Sequence, residues 1–106
     1  MAEPVIVAAA RTPIGRFGGA LVDRTAVDLG AVAARAAVAR SGVPADVLDA
    51  VVMGCAVQAG LGQNAARQVA IAAGVPLGVP AETVNMVCLS GLGAVARAAR
   101  LIRLGE

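Results

Sequence analysis

Three short strand-type runs, each leading into a segment of helical periodicity, constrain what this chain can fold into. Val5-Ile6-Val7-Ala8-Ala9-Ala10 is continuously apolar, the pattern of a strand covered on both faces. Ala50 to Val57 repeats that pattern, and Glu82-Thr83-Val84-Asn85-Met86-Val87 forms the third run. The helical segments expected between and after them are Ala26–Arg40, Ala65–Ala73 and a stretch starting at Cys88. Alternation of this kind predicts an α/β fold, a parallel sheet with covering helices, built here from three strands.

The start and stop signals agree. Thr25-Ala26-Val27-Asp28 offers an N-cap with an acid three residues on, and Ser41-Gly42 followed by Pro44 closes the helix. Leu29, Val32, Ala33, Ala36 and Ala37 are expected to face the sheet, with Asp28 and Arg35 on a solvated back. Asn64 is an N-cap candidate for the second helix, which Gly74 and Pro76 end. In the third helix Leu92, Val95, Ala96, Ala99 and Ile102 share a face while Arg97, Arg100 and Arg103 occupy another. Gly91 and Gly93 sit in its first turns, where glycine is unfavourable unless something must approach closely.

Composition narrows the function classes. The 106 residues suffice for one domain, and the chain is 58% hydrophobic with a single aromatic residue, Phe17. Alanine, valine and glycine carry that apolar content, so each buried side chain contributes little at roughly 25 cal/mol per Å². The longest uncharged run, Ala50 to Ala66, falls short of the roughly 20 apolar residues a spanning helix needs and is broken by Gly54, Gly60 and Gly62. The opening residues, with Glu3, Pro4 and Arg11, lack the shape of a secretory signal, and a cytosolic protein is expected. Nine basic residues, all arginine, against seven acids give a net charge of +2. They are scattered with no interleaved aromatics, which argues against nucleic-acid binding. Two cysteines make no disulfide framework, and the absence of histidine excludes a histidine-ligated zinc site or a Cys–His pair made within this chain.

Two stretches hold candidate chemistry. Gly60-Leu61-Gly62-Gln63-Asn64-Ala65 has G-x-G-x-x-A spacing between a strand and a helix, with Glu82 about twenty residues on, the outline of a dinucleotide fingerprint. Against that, the motif follows the second strand instead of the first and such spacings arise often by chance in glycine-rich sequence; the other reading is a tight loop delivering Gln63 and Asn64 to a helix start. Cys88 lies where the third strand ends and the third helix begins, a place where free N–H groups and the helix dipole favour a thiolate. A nucleophile there is one reading, and a small buried hydrophobe is the other. Cys55, inside the second run, reads as core.

Ala10-Arg11-Thr12-Pro13-Ile14-Gly15-Arg16-Phe17-Gly18-Gly19, Gln58 to Gln68, and Val84-Asn85-Met86-Val87-Cys88-Leu89-Ser90-Gly91-Leu92 together resemble the thiolases, in order and spacing over the whole chain. Leu89 stands where that family often has alanine or glycine. The resemblance implies the first three β-α units of a three-layer α/β/α N-terminal thiolase domain, incomplete across residues 1–106. It implies that Cys88 is the acyl-accepting cysteine, with Gln63, Ser90 and Gly91 supporting substrate binding. The implied substrates are acyl-CoA and CoA, with no metal and no cofactor, and the implied parent enzyme is a cytoplasmic homodimer or homotetramer of fatty acid metabolism. In the family the base histidine, oxyanion asparagine, second catalytic cysteine and CoA-binding loop domain come from later sequence, and Cys55 does not match that second cysteine. Strand one is separated there from strands two and three by two later strands. The expectation is an acyltransferase fragment with negligible turnover by itself, or else an interaction module pairing through its third strand.

Overall fold

The computed structural model describes residues 2–106. In chain order the elements are α1 (Ala26–Ser41), a 3-10 turn at Ala45–Val47, β1 (Val51–Gly54), α2 (Ala65–Ala72), β2 (Ala81–Val84) and α3 (Ser90–Leu104). β1 and β2 pair in parallel with Val51 opposite Ala81 and Gly54 opposite Val84. Strand pleating then sorts the helices into layers. Thr83 on one face accepts the amide of Ala66 at 3.0 Å, and on the same face Val51 and Ala81 pack against the buried cluster of Ala70, Val75 and Val79. On the other face Glu82 pairs with Arg97 of α3 at 2.9 Å, and Gly54 lies against Ser90 and Gly91. The result is a three-layer α/β fragment: α2 and α3 lie on opposite faces of the sheet, and α1 packs beside α2, with Gly30 against Val69 and near Met53 of β1.

Capping follows the sequence. Thr25 and Asp28 form a reciprocal capping box at 3.0 Å in each direction, and Gly42 ends α1 in the left-handed conformation at φ 72°. Asn64 adopts φ 45° and accepts the Arg67 amide at 3.2 Å. The same side chain donates to the Ala81 carbonyl at 3.0 Å and accepts from the Thr83 hydroxyl at 2.7 Å, so the start of α2 is fastened to β2.

Three expectations are corrected. Val5–Ala10 is not a strand: a strand needs a neighbour for its N–H and C=O groups, and among the described residues β1 and β2 pair only with each other. Ile6 is accordingly 80% exposed, and the segment is tethered by Arg40 donating to the Ala9 carbonyl at 3.1 Å and by a 3.7 Å contact between Glu3 and Arg103. The sheet therefore has two strands, and both are trimmed to four residues. Second, α1 rests mainly on α2: Gly30 meets Val69, Ala31 is its buried residue, and Val32 is half exposed. Arg35 is not merely a solvated charge, since it donates to the Ala72 carbonyl at 2.6 Å where α2 ends. Third, Cys55 is half-buried at the end of β1, where its amide extends the ladder to the Val84 carbonyl at 3.0 Å. It borders a cleft of about 60 Å³ between the starts of α1 and α2.

Candidate active site

The chain leaves β2 at Val84 and enters α3 at Ser90, and the five residues between hold Cys88. The helix begins two residues after the cysteine, with Leu89 as its N-cap, so Cys88 belongs to the turn and not to the helix. Val87 has φ +53°, a left-handed conformation that a β-branched residue adopts only under constraint. The constraint is visible on both of its peptide groups. Asn85 accepts the Val87 amide at 3.0 Å, and the Ser90 hydroxyl donates to the Val87 carbonyl at 2.6 Å. Ser90 is 4% exposed, and its oxygen also accepts the Met86 amide at 2.9 Å. A buried hydroxyl satisfied in both directions fixes a turn more firmly than one facing water.

The result is an exposed thiol on a sharp strand-to-helix turn. Small residues permit it. A Cβ on Gly54 would overlap the Ser90 carbonyl and come within 2.5 Å of the Gly91 nitrogen, so β1 and the start of α3 meet backbone to backbone. Gly93 faces the Met86 sulfur, which a Cβ would approach to 2.6 Å. Gly91 has open space around it, so the close approach expected of the helix glycines is met by Gly93 and, across the sheet, by Gly54. Among the described residues the amides of Cys88, Gly91 and Leu92 carry no hydrogen bond, which leaves donors beside the thiol-bearing turn.

Of the residues singled out from sequence, Cys88 lies in this turn, and Ser90 and Gly91 open α3 directly after it. Gln63 is exposed in the loop before α2, and its carbonyl accepts from Gln68 at 2.9 Å. The reading from sequence missed Asn85, Gly54 and Gln68; only a count of which backbone groups lack partners points to such residues. The dinucleotide arrangement loses its acid, because Glu82 is turned to the α3 face and paired with Arg97, away from the loop that starts α2.

A layered parallel sheet carrying a solvent-facing cysteine at a strand-to-helix turn defines the class of fold. Residues 4–106 match the family described as thiolase, N-terminal domain, and the chain belongs to the thiolase family. It is 51% identical over 104 residues to an acetyl-CoA acetyltransferase of Syntrophomonas wolfei, covering 98% of this chain and 26% of that protein. It is 52% identical over 106 residues to the acetyl-CoA acetyltransferase of Cupriavidus necator, covering 100% and 27%. The Acat5 thiolase of Ascaris suum, solved in complex with coenzyme A, superposes with a TM-score of 0.94 at 38% identity over 98% of this chain and 27% of that one. The chain thus spans about a quarter of the length of these relatives.

Proposed function

We propose that this chain is the part of a thiolase N-terminal domain that supplies the acyl-accepting cysteine. The Cys88 sulfur attacks the carbonyl carbon of an acyl-CoA, a carbon–sulfur bond forms to Cys88, the bond to CoA breaks, and the CoA sulfur leaves as a thiolate that is then protonated. A second thiol or a carbanion then takes the acyl group and restores the cysteine. Exchange of one thioester for another is nearly balanced in energy, which is why a thiol suits the task. The observation that carries the proposal is the exposed Cys88 on a turn pinned from both sides.

The unpartnered amides beside Cys88 supply donors for a developing oxyanion, and the Gly91 amide is one of them. Ser90 acts by holding the turn, and Gln63 by lying in the loop of the second family motif. The family resemblance assigns proton removal to a histidine, and these 106 residues contain none. Acyl transfer to Cys88 is therefore expected without efficient turnover. The Ascaris suum thiolase in complex with coenzyme A supports CoA as a ligand, and acyl-CoA is its acyl-bearing form in the proposed reaction. A cytoplasmic homodimeric or homotetrameric enzyme of fatty acid metabolism is the wider assignment.

The test is intact-protein and peptide mass spectrometry after incubation with acetyl-CoA. An acetyl group on the Cys88 peptide, removed by added CoA and lost in Cys88→Ala, is expected. Acetylation of Cys55 in preference to Cys88 would refute the assignment, and substantial thiolysis of acetoacetyl-CoA by the 106-residue chain would refute the need for further residues. A second reading, an interaction module, draws on the outer edge of β2, which pairs with nothing among the described residues. A clean monomer in analytical ultracentrifugation would count against it.

A further inference from the structure

We propose that Asn85 is a positioning residue for Cys88, joining the loop after β1 to the turn that carries the thiol. The proposal rests on the reading of Cys88 as acyl acceptor. The side-chain amide of Asn85 is used at both ends. Its nitrogen donates to the Ala56 carbonyl at 3.0 Å, and its oxygen accepts the Val87 amide at 3.0 Å. The second contact closes an Asx turn, in which an asparagine oxygen binds the amide two residues on. It acts on the one residue of this turn with a left-handed backbone, Val87 at φ +53°.

The two clamps on Val87 differ in kind. Ser90 lies within α3, so its hydroxyl moves with the helix. Asn85 lies just past β2 and reaches Ala56, just past β1, so it refers the turn to the sheet. The backbone of β1 already extends to the same region, with the Cys55 amide donating to the Val84 carbonyl at 3.0 Å and Gln58 donating to the Cys55 carbonyl at 2.8 Å. Without Asn85 the helix end of the turn stays fixed while the Val87 amide is released. Val87 then relaxes toward negative φ, the conformation its β-branched side chain prefers, and the residue carried along is Cys88.

The experiment compares iodoacetamide modification of Cys88 with that of Cys55 in the same molecule, read by peptide mass spectrometry over time. In Asn85→Ala the Cys88 to Cys55 rate ratio is expected to fall about tenfold, the scale of one to two lost hydrogen bonds. Asn85→Ser keeps a neutral oxygen that can accept the Val87 amide, and its ratio is expected to recover to within about threefold of the parent chain. A ratio unchanged in Asn85→Ala overturns the proposal. So does a rise in both rates together, which marks loosening of the whole fold, or an Asn85→Ser chain no better than Asn85→Ala. Failure of the parent chain to accept an acetyl group from acetyl-CoA, with the alkylation ratios as expected, would refute the acyl-acceptor reading and leave the positioning role supported.

Discussion

Gly54 and Gly91 allow one substitution, glycine to alanine, to be followed at two places that touch. At Gly54 the new methyl would overlap the Ser90 carbonyl and lie 2.5 Å from the Gly91 nitrogen, where real Cβ atoms essentially never come under 3.0 Å. Both neighbours are backbone, so no rotamer change relieves the overlap. β1 and the start of α3 must separate by more than the ~0.5 Å that the Gly91 nitrogen alone requires, because the Ser90 carbonyl is closer still, and overpacking of this kind costs about 3 kcal/mol. For a domain of this length that lowers Tm by about 10–20 °C and the urea midpoint by about 1–2 M. At Gly91 nothing lies within 4 Å and φ is not positive, so Gly91→Ala gains about 0.5–1 kcal/mol from helix propensity. Thermal and urea melts of the two variants beside the parent, followed by circular dichroism, are the assay. A Gly54→Ala chain that melts within about 2 °C of the parent would show that the strand–helix approach is not backbone-limited, since the expected drop is several times larger.

Further outcomes follow from single contacts. Arg67 donates to the Val79 carbonyl at 2.7 Å and to the Leu77 carbonyl from its second guanidinium nitrogen, so Arg67→Lys, which cannot fork, should destabilise by about 1–2 kcal/mol in the same melt. The Asp28 carboxyl titrates below its ordinary 3.8, first because the Thr25 amide donates to it, then through the Thr25 hydroxyl and the charge of Arg24. Because the folded value is the lower one, the capping box contributes stability above the unfolded pKa and loses it as pH falls through the folded value. Asp28→Asn should therefore flatten the acid limb of a plot of Tm against pH and leave its slope near neutrality unchanged. Glu82→Gln breaks a pair whose two side chains are both nearly half exposed and should shift stability by less than about 1 kcal/mol, measured in urea at low and high salt.

What could be read from the sequence was local. The capping box at Thr25, the N-cap at Asn64 and the glycine stop at Gly42 are each decided within a few residues, and all three hold. Val5–Ala10 fails as a strand because pairing is decided by a distant neighbour, while apolar periodicity reports only a preference. The expected face of α1 holds at Leu29, Ala33, Ala36 and Ala37 but not at exposed Val32, and what it meets is set by Gly30, which admits Val69 of α2. At the candidate site Cys88 and its neighbours were legible as a motif. The geometry was not, because nothing in Val87 advertises a left-handed backbone, and the residues that impose it, Asn85 and Ser90, act through contacts invisible to periodicity.

Among the described residues the buried apolar positions are all alanine or valine, from Ala31 through Val69 to Ala94, and no large side chain is completely enclosed. That has a calorimetric consequence. The heat capacity of unfolding scales with the apolar surface newly wetted, and small side chains have little to release. The increment for this chain should fall below the usual ~12–15 cal/mol/K per residue, making its curve of stability against temperature shallow on the cold side as well as the warm one.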